Sequence, residues 1–325
     1  MGDWKTLPLG VDVGVSRLRV ALGEANTEGA VRLRAVVSRD APHEAVGPLS
    51  VAQPELVAAV IEEILQELGT RENRCILAIS SPACALRTLR FPKMSWAERL
   101  RAARFEAQRF APWDMESEDS VVRVHPLNRA AGSYAIGVAR KYSVESRVGV
   151  ARLAGLRTAA VDHDALAMRR VFAECDAIVD IGSDRSSLHV FGSSGPLSFV
   201  VELGGAAITQ GIAAELSIDI PTAERRKRIL GCAGAGTAAR DEVVAAIASL
   251  VDRARSRSAI GRIVLTGNGA RLPGLAQDLE RATGALTETP VPSILHTGTY
   301  PDDVVRVASL DWALAAGLLT WGVAA

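Results

Sequence analysis

Alternation of apolar and polar positions predicts two similar groups of β-strands in the chain. In each group a β-rich run ends in Asp-x-Gly, at Asp12 and Gly14 in the first and at Asp180 and Gly182 in the second. Two alternating runs follow each turn: RLRVALGEA and GAVRLRAVVS, then SSLHVFGS and GPLSFVVELGG. The chain therefore contains an internal repeat, and matching loops in duplicated halves suggest a ligand held between them.

A helical period follows each group of strands. PELVAAVIEEILQELG places Val57, Ile61 and Leu68 on one face, between Pro54 at a favoured first helical position and Gly69 as the stop. The strand CILAIS then completes a β-β-β-α-β order, and ITQGIAAEL followed by RIVLTG repeats it in the second half. This pattern predicts an α/β fold with two related lobes.

The segment from about Thr88 to Arg140 has no counterpart in the repeat. Ser95 and Glu98 form a capping box that predicts a helix running to about Phe110. The runs SVVRVHPL and SYAIGVAR predict two strands after it. We interpret this segment as an inserted small α+β subdomain.

Composition excludes several classes of protein. Lys+Arg and Asp+Glu tie at 37 each, so no long-range field recruits nucleic acid or acidic lipid. The opening MGDWKTLPLG has one Lys and no apolar run, so no signal peptide is expected. Leu310 to Ala325 is too short to span a bilayer and predicts a buried C-terminal helix. Buried reduced thiols, with no zinc site or disulfide framework, are expected at Cys75, Cys84, Cys175 and Cys232.

The two Asp-x-Gly turns are candidate phosphate and metal sites. Gly14 and Gly182 would let backbone N–H groups approach phosphate oxygens without a Cβ in the way. Asp12 and Asp180 could hold the water shell of Mg²⁺, which prefers few carboxylates and several waters. A single Asp-x-Gly is common in hairpin turns, so the pairing of the two turns is what favours a nucleotide site.

Two further segments carry candidate nucleotide contacts. A buried strand ends in Gly267-Asn268-Gly269-Ala270, where the missing side chains would let an adenine or ribose lie against the backbone. Leu272 breaks the dinucleotide fingerprint, and a Walker A loop is absent. In TAERRKRILG, Glu224 and Lys227 share a helix face and could reach a ribose hydroxyl and a purine together. The arginines beside them are expected to be solvated.

With these pieces in order, the sequence resembles the actin-like ATPase superfamily and, within it, the PilM family of type IV pilus assembly proteins, which is related to FtsA. The two phosphate loops and the adenosine loop are GVDVGVSRLRV, DIGSDRSSLHVF and LTGNGARLPGL. The segments most similar to PilM are FPKMSWAERLRAARFEAQRFAPWDME, VARLAGLRTAAVDHDALA and ELGGAAITQGIAAEL with the AERRK helix. DHDALAMRR and DWALAAGLLTW resemble two connecting helices that cross closely through the small residues Ala165, Ala167, Ala313, Ala316 and Gly317.

The resemblance implies a duplicated ribonuclease-H-like fold, with two lobes around a nucleotide cleft. The first lobe would be residues 1–87 plus 141–174 and the second 175–205 plus 262–325, with an inserted subdomain at 88–140 and a helical nucleotide-lid subdomain at 206–261. It also implies ATP and Mg²⁺, with Mg²⁺ held through water by Asp12 and Asp180. The nucleotide-binding residues would be Gly10, Asp12, Gly14, Ser16, Arg19, Asp180, Gly182, Ser183, Gly204, Gly205, Glu224, Lys227, Gly267, Asn268, Gly269 and Ala270.

The function that the resemblance implies is a cytoplasmic ATP-binding scaffold, at most a slow ATPase, in a type IV pilus or a related secretion or competence machine. Its partners would be the short cytoplasmic peptide of a PilN-like single-span inner-membrane protein and other pilus alignment proteins. It would lie peripheral to the inner membrane through that partner, with no nucleic acid and no direct membrane insertion.

Two alternatives stay open. A small-molecule kinase on the same fold would need a general base aimed at the γ-phosphate, and no candidate base stands out. An actin-like scaffold that no longer binds nucleotide is favoured by Val15 in the first loop and by the short segment between Lys227 and Ile263. Arg19 takes the place of a family Lys, and it could clamp phosphate with a different shape.

Overall fold

The computed structural model describes residues 3–128, 130–192, 195–292, 295–296 and 302–323 of the 325-residue chain. Its strands are β1 (Lys5–Thr6), β2 (Leu9–Val13), β3 (Arg17–Ala25), β4 (Val31–Asp40), β5 (Arg74–Ile79), β6 (Cys84–Arg90), β7 (Ser120–Asn128), β8 (Ser133–Arg140), β9 (Arg157–His163), β10 (Ala177–Ile181), β11 (Ser186–Gly192), β12 (Gly195–Val201), β13 (Arg262–Thr266), β14 (Leu286–Glu288) and β15 (Leu295–His296). Its α-helices are α1 (Pro54–Leu68), α2 (Trp96–Ala107), α3 (Lys141–Leu153), α4 (Asp164–Val171), α5 (Gly205–Leu216), α6 (Ile220–Leu230), α7 (Thr237–Arg255), α8 (Leu275–Thr283) and α9 (Asp302–Leu319).

The chain forms two compact units. Unit 1 comprises Met1–Arg170, Phe191–Leu197 and Leu314–Ala325, and unit 2 comprises Val171–Val190 and Ser198–Ala313. Helix α9 therefore contributes residues to both units.

The main sheet of unit 1 contains the strands in the order β4-β3-β2-β5-β9, with β1 beside β3. Strands β2, β3 and β4 are antiparallel neighbours, whereas β2, β5 and β9 run parallel. Helices α1 and α3 pack on this sheet, and their shared core includes Leu9, Val11, Leu18, Val57 and Ile61. The predicted amphipathic helix is confirmed from Pro54 to Leu68, with Gly69 as its left-handed C-cap.

The sheet of unit 2 has the equivalent order, β12-β11-β10-β13-β14. Strand β10 corresponds to β2, because each pairs antiparallel with the next strand and parallel with the strand after the helical segment. The internal repeat predicted from the alternating pattern is therefore confirmed. The units differ in that α5, α6 and α7 stand between β12 and β13, where unit 1 has α1 alone between β4 and β5.

A separate antiparallel sheet of order β6-β8-β7 packs against α2 within unit 1. The predicted capping box is present, because Ser95 and Glu98 each receive a backbone N–H from the other. The helix ends at Ala107, before the expected Phe110, and Phe110 and Trp113 turn into the small core instead. The sheet also begins at Cys84, earlier than the pattern around Thr88 indicated.

Small residues let α4 and α9 cross closely, as the sequence predicted. A Cβ on Gly317 would overlap the carbonyl oxygen of Ala167, and Ala316 beside it is fully buried. The C-terminal helix is buried from Leu310 to Thr320, apart from half-buried Asp311 and Leu314, and the last two residues of the predicted segment lie outside the described part of the chain.

The predicted burial of the cysteines is confirmed for three of the four. Cys75, Cys84 and Cys175 are buried and Cys232 is half-buried. Burial raises the pKa of Cys75 to about 11, against a weaker opposing effect of its hydrogen bond with Thr158. Among the described residues, no helix combines the length and hydropathy needed to cross a membrane.

Candidate functional site

The first Asp-x-Gly turn joins β2 to β3. The Gly14 N–H donates to the carbonyl oxygen of Arg17 at 3.1 Å, and a Cβ on Gly14 would lie 2.8 Å from that oxygen. Glycine is therefore required by closure of the turn itself. Inside the turn, the backbone N–H groups of Val15 and Ser16 donate no hydrogen bond to any described residue. These two groups are placed to bind an anion.

Asp12 in β2 lies directly opposite Arg19 in β3. The Nη1 atom of Arg19 is 2.8 Å from Oδ2 of Asp12, and both side chains are only 12% exposed. The phosphate contact expected of Arg19 and the metal-water contact expected of Asp12 therefore compete with an ion pair that is already formed.

Gly10, a predicted nucleotide-binding residue, has a packing role in the structure. It lies in the middle of β2, where a Cβ would overlap the carbonyl oxygen of Ala315 in α9. The structure explains this glycine by helix-on-sheet packing within unit 1, because no side chain fits between β2 and α9 at this point.

The second turn, between β10 and β11, is built like the first. The Gly182 N–H donates to the Arg185 carbonyl oxygen at 3.0 Å, and the N–H groups of Ser183 and Asp184 donate to no described residue. One difference separates the two halves. The residue opposite Asp180 on the neighbouring strand is Ser187, where unit 1 has an arginine.

The N-terminus of α5 is fastened to this second turn. The N–H of Gly205 donates to the Gly182 oxygen at 2.9 Å, and the N–H of Ala206 donates to the Ser183 oxygen at 2.8 Å. A Cβ on Gly204 would lie 2.5 Å from the oxygen of Ser183. The positive end of the α5 dipole therefore lies beside the turn, which favours an anion there.

Glu224 and Lys227 form a network with α5. The Nζ of Lys227 lies 2.6 Å from Glu224 Oε2, 2.7 Å from Thr209 Oγ1 and 2.8 Å from the oxygen of Gly205. Thr209 also donates to Glu224 at 2.5 Å. Burial alone would raise the pKa of Glu224, but the hydrogen bonds from Lys227 and Thr209 prevail and lower it to about 2. Glu224 and Lys227 therefore lie together, as the sequence predicted. Thr209, one helical turn after Gly205, is a further member of this network that the sequence motifs did not indicate.

Gly267 and Gly269, which follow β13, pack closely against the end of β10. A Cβ on Gly267 would lie 2.5 Å from the carbonyl oxygen of Ile181, and one on Gly269 would overlap the Ile181 side chain. Packing on the end of β10 therefore requires glycine at both positions, and the contact of this loop with an adenine or ribose stays a prediction. Asn268 donates from Nδ2 to Asp311 at 2.8 Å, and Ala270 is buried in a 3-10 helix.

Arg17 and Arg185 were missed by the motif analysis, although both turns read Gly-x-x-Arg. Arg17 hydrogen-bonds Ser38 at 2.9 Å and lies 3.3 Å from Asp40. Arg185 differs, because its Nη1 atom is buried without a hydrogen-bond partner among the described residues. A buried N–H of a cation that lacks an acceptor is costly, so this atom fits an anionic ligand.

Most of the predicted residues in unit 2 form one continuous cluster. The second turn touches the start of α5, α5 touches Lys227, and the loop after β13 packs on Asp180 and Ile181. In unit 1 the turn holds Asp12, Gly14, Ser16 and Arg19 together, while Gly10 serves packing. Unfilled N–H groups, a helix N-terminus and an unsatisfied guanidinium suit a phosphorylated ligand.

The chain matches a known protein family and several solved structures. The family model described as type IV pilus assembly protein PilM matches residues 10–320. A solved structure titled PilM-PilN type IV pilus biogenesis complex has a chain 27% identical to this one, with a TM-score of 0.83 over 98% of this chain and 99% of that chain.

Two more distant structures share the fold. The ethanolamine utilization protein EutJ from Carboxydothermus hydrogenoformans is 14% identical, with a TM-score of 0.63 over 98% of this chain and 90% of that one. MreB5 of Spiroplasma citri, solved bound to ADP, is 13% identical, with a TM-score of 0.52 over 93% and 94%. The protein thus has the actin-like ATPase fold.

Proposed function

The chain belongs to the PilM family of type IV pilus assembly proteins, and from that membership we propose that it is an ATP-binding scaffold that docks the cytoplasmic tail of a PilN-like membrane protein. The PilM-PilN complex supports such a partner, and MreB5, which was solved with ADP, supports nucleotide binding by this fold. The observation that carries the nucleotide half of the proposal is the second turn, with its unfilled N–H groups and the helix N-terminus beside it.

In this proposal the phosphates of ATP lie at the second turn. The N–H groups of Ser183 and Asp184 and the guanidinium of Arg185 would bind phosphate oxygens, since these donors have no acceptor within the described chain. Asp180 would order the waters of a Mg²⁺ ion, and the ion would offset phosphate charge. Glu224 is held ionised by Lys227 and Thr209, so it could accept a ribose hydroxyl.

The proposed docking site for the tail peptide is on α2. Trp96 and Leu100 lie one helical turn apart and are 54% and 40% exposed, respectively. Ala103 and Ala107, farther along the same face, are fully buried against the small sheet. One face of α2 is therefore buried in its C-terminal half and exposed to solvent in its N-terminal half. An apolar stretch of a tail peptide fits such a surface.

We further propose that nucleotide and tail binding are coupled, with the protein held on the cytoplasmic side of the inner membrane by its partner. Coupling is reciprocal, so a tenfold tightening of tail binding by ATP requires a tenfold tightening of ATP binding by the tail, about 1.4 kcal/mol.

A nucleotide-free scaffold is the second candidate, and one observation favours it. Arg19 and Lys227 are the cations that the sequence placed at the ligand, yet each is engaged by a carboxylate of the protein itself. Nucleotide binding would then depend on Arg185 and the turn N–H groups alone. Absence of any ATP-dependent stabilisation would favour this candidate.

The docking experiment is a titration of a PilN-like tail peptide against the full chain, with and without Mg-ATP. Trp96→Ser and Leu100→Ser should each weaken tail binding about tenfold, because each removes apolar area from the surface. Leu56→Ser is the matched control, since Leu56 is 51% exposed on α1, away from α2 in the sequence. Unchanged tail affinity in both α2 variants would remove α2 as the docking surface.

A further inference from the structure

Helix α6 presents an apolar end that is open to solvent. Ile229 is 78% exposed and Leu230 is 49% exposed, at adjacent positions in the last turn. Within α6, the buried residue is Ala223, which packs in the core of unit 2. Two neighbouring large aliphatic side chains in water at a helix end are an exposed patch, not a scattered surface residue.

Arginines border this patch. Arg225 and Arg226 precede Ile229 and Leu230 by four residues, so each shares a face with one of the aliphatic side chains. We name Arg225, Arg226, Ile229 and Leu230 the α6 arc. Each guanidinium group of the arc donates a hydrogen bond to a neutral oxygen. Arg225 donates to Thr222 Oγ1 at 2.9 Å, and Arg226 donates to the Ala233 carbonyl oxygen at 2.7 Å. The Thr222 hydroxyl in turn donates to Asp219 Oδ2 at 3.0 Å, so Arg225 lies near one carboxylate, whereas Arg226 is held by a backbone carbonyl.

The acidic residue of the same helix lies elsewhere on its circumference. Glu224 is bound to Lys227 and Arg228, on the side of α6 that faces α5. Asp219 caps the other end of the helix through the N–H of Thr222 at 2.7 Å. The α6 arc thus combines two aliphatic side chains with two arginines, of which Arg225 lies near Asp219, although the whole chain has no net charge.

We propose that the α6 arc binds the surface of an anionic lipid bilayer. Aliphatic side chains at the end of a convex helix can enter the headgroup layer, while arginines beside them bind lipid phosphates. None of the four residues of the arc is an aromatic anchor of the kind common at protein interfaces. The contact is shallow, and it adds a direct lipid contact to an attachment expected to pass only through a protein partner.

The experiment is co-sedimentation of the full chain with vesicles of phosphatidylcholine alone or mixed with phosphatidylglycerol. Binding should require the anionic lipid and weaken as salt rises. Arg225→Gln should weaken it about fivefold, the contribution of one basic residue near an anionic surface. Ile229→Ser with Leu230→Ser should weaken it at least about tenfold through lost apolar burial. Leu286→Ser, at an equally exposed leucine of unit 2, should leave binding unchanged.

Thermal melts of each variant verify folding. If the aliphatic variants unfold, Arg225→Gln still tests whether the α6 arc binds the vesicles. At constant ionic strength, excess inorganic phosphate should not release the protein, because the ligand is the bilayer and not a free anion. No sedimentation of the parent, equal binding to neutral vesicles, or parental binding by the arc variants would overturn the proposal. Binding of the parent to an acidic peptide but to no vesicle would also overturn it.

Discussion

Asp12 and Arg19 form a buried ion pair across β2 and β3, 2.8 Å apart, whereas the equivalent position opposite Asp180 in unit 2 is Ser187. The repeat therefore preserves the backbone of both turns but gives their carboxylates different neighbours. Asp12 is tied to the framework of unit 1 through Arg19, and Asp180 has a serine at the position opposite it.

The ion pair predicts a stability effect in unit 1. Asp12→Ala should lower the free energy of unfolding by roughly 3 kcal/mol, because it removes a charged partner from a buried guanidinium. Adding Arg19→Ala should cost less than the sum of the two single changes, with a coupling of about 1 kcal/mol or more. Urea unfolding of the parent, both single variants and the double variant measures this. Additive effects would show that the two side chains do not stabilise each other.

The close crossing of α4 and α9 predicts that adding one methyl group at Gly317 destabilises the protein. Gly317→Ala should lower the free energy of unfolding by about 1–3 kcal/mol, because its Cβ would overlap the Ala167 carbonyl. Gly149→Ala is the control, since Gly149 lies within α3 and a Cβ there meets nothing within 4 Å. The control should stabilise by about 0.5–1 kcal/mol. Equal melting temperatures for the two variants would refute the close crossing.

The depressed pKa of Glu224 predicts a pH dependence. The pKa is about 2 in the folded state, below the ordinary glutamate value of 4.5, so the carboxylate contributes stability above about pH 4.5 and loses it as pH falls towards 2. Glu224→Gln should remove that part of the acid sensitivity, of the order of 2 kcal/mol. Denaturant unfolding of parent and variant at pH 7 and pH 3 compares them. Parallel loss of stability in both would place the titrating group elsewhere.

Arg185 provides a test of the phosphate assignment. Arg185→Met keeps an apolar stem and removes the guanidinium, so ATP affinity should fall about tenfold or more, in line with the loss of a charge-assisted hydrogen bond. Adenosine, which has no phosphate, should bind both proteins alike. Arg17→Met is the control, because Arg17 occupies the same turn position in unit 1 but is engaged by Ser38 and Asp40. Equal ATP affinity in parent and Arg185→Met would remove Arg185 from the site.

The order of strands and helices along each unit could be predicted, because alternation and helical period are local signals that survive in one sequence. Pro54, Gly69 and the Ser95 capping box mark element ends through backbone chemistry, and the structure has them where the pattern placed them. The end of α2 was missed because Phe110 and Trp113 are drawn into the small core. That is an effect of tertiary packing, which local helix propensity does not predict.

The roles of individual glycines could not be predicted in the same way. Gly10, Gly267 and Gly269 each sit where a neighbouring element fills the space of a Cβ, and those neighbours lie far away in sequence. The pairing of Asp12 with Arg19 depends on strand register, and the missing partner of Arg185 Nη1 depends on its full surroundings. Motif spacing identified the turns and loops, and tertiary packing determines which contacts each residue makes there.

The most direct test of the proposed nucleotide site is the melting temperature of the parent and of Asp180→Ala, titrated with Mg-ATP. Ligand at a hundred times its dissociation constant should stabilise the parent by about 2.7 kcal/mol. Asp180→Ala should need a much higher concentration for the same shift, while melting close to the parent without ligand. An unchanged melting temperature of the parent across millimolar Mg-ATP would contradict the account.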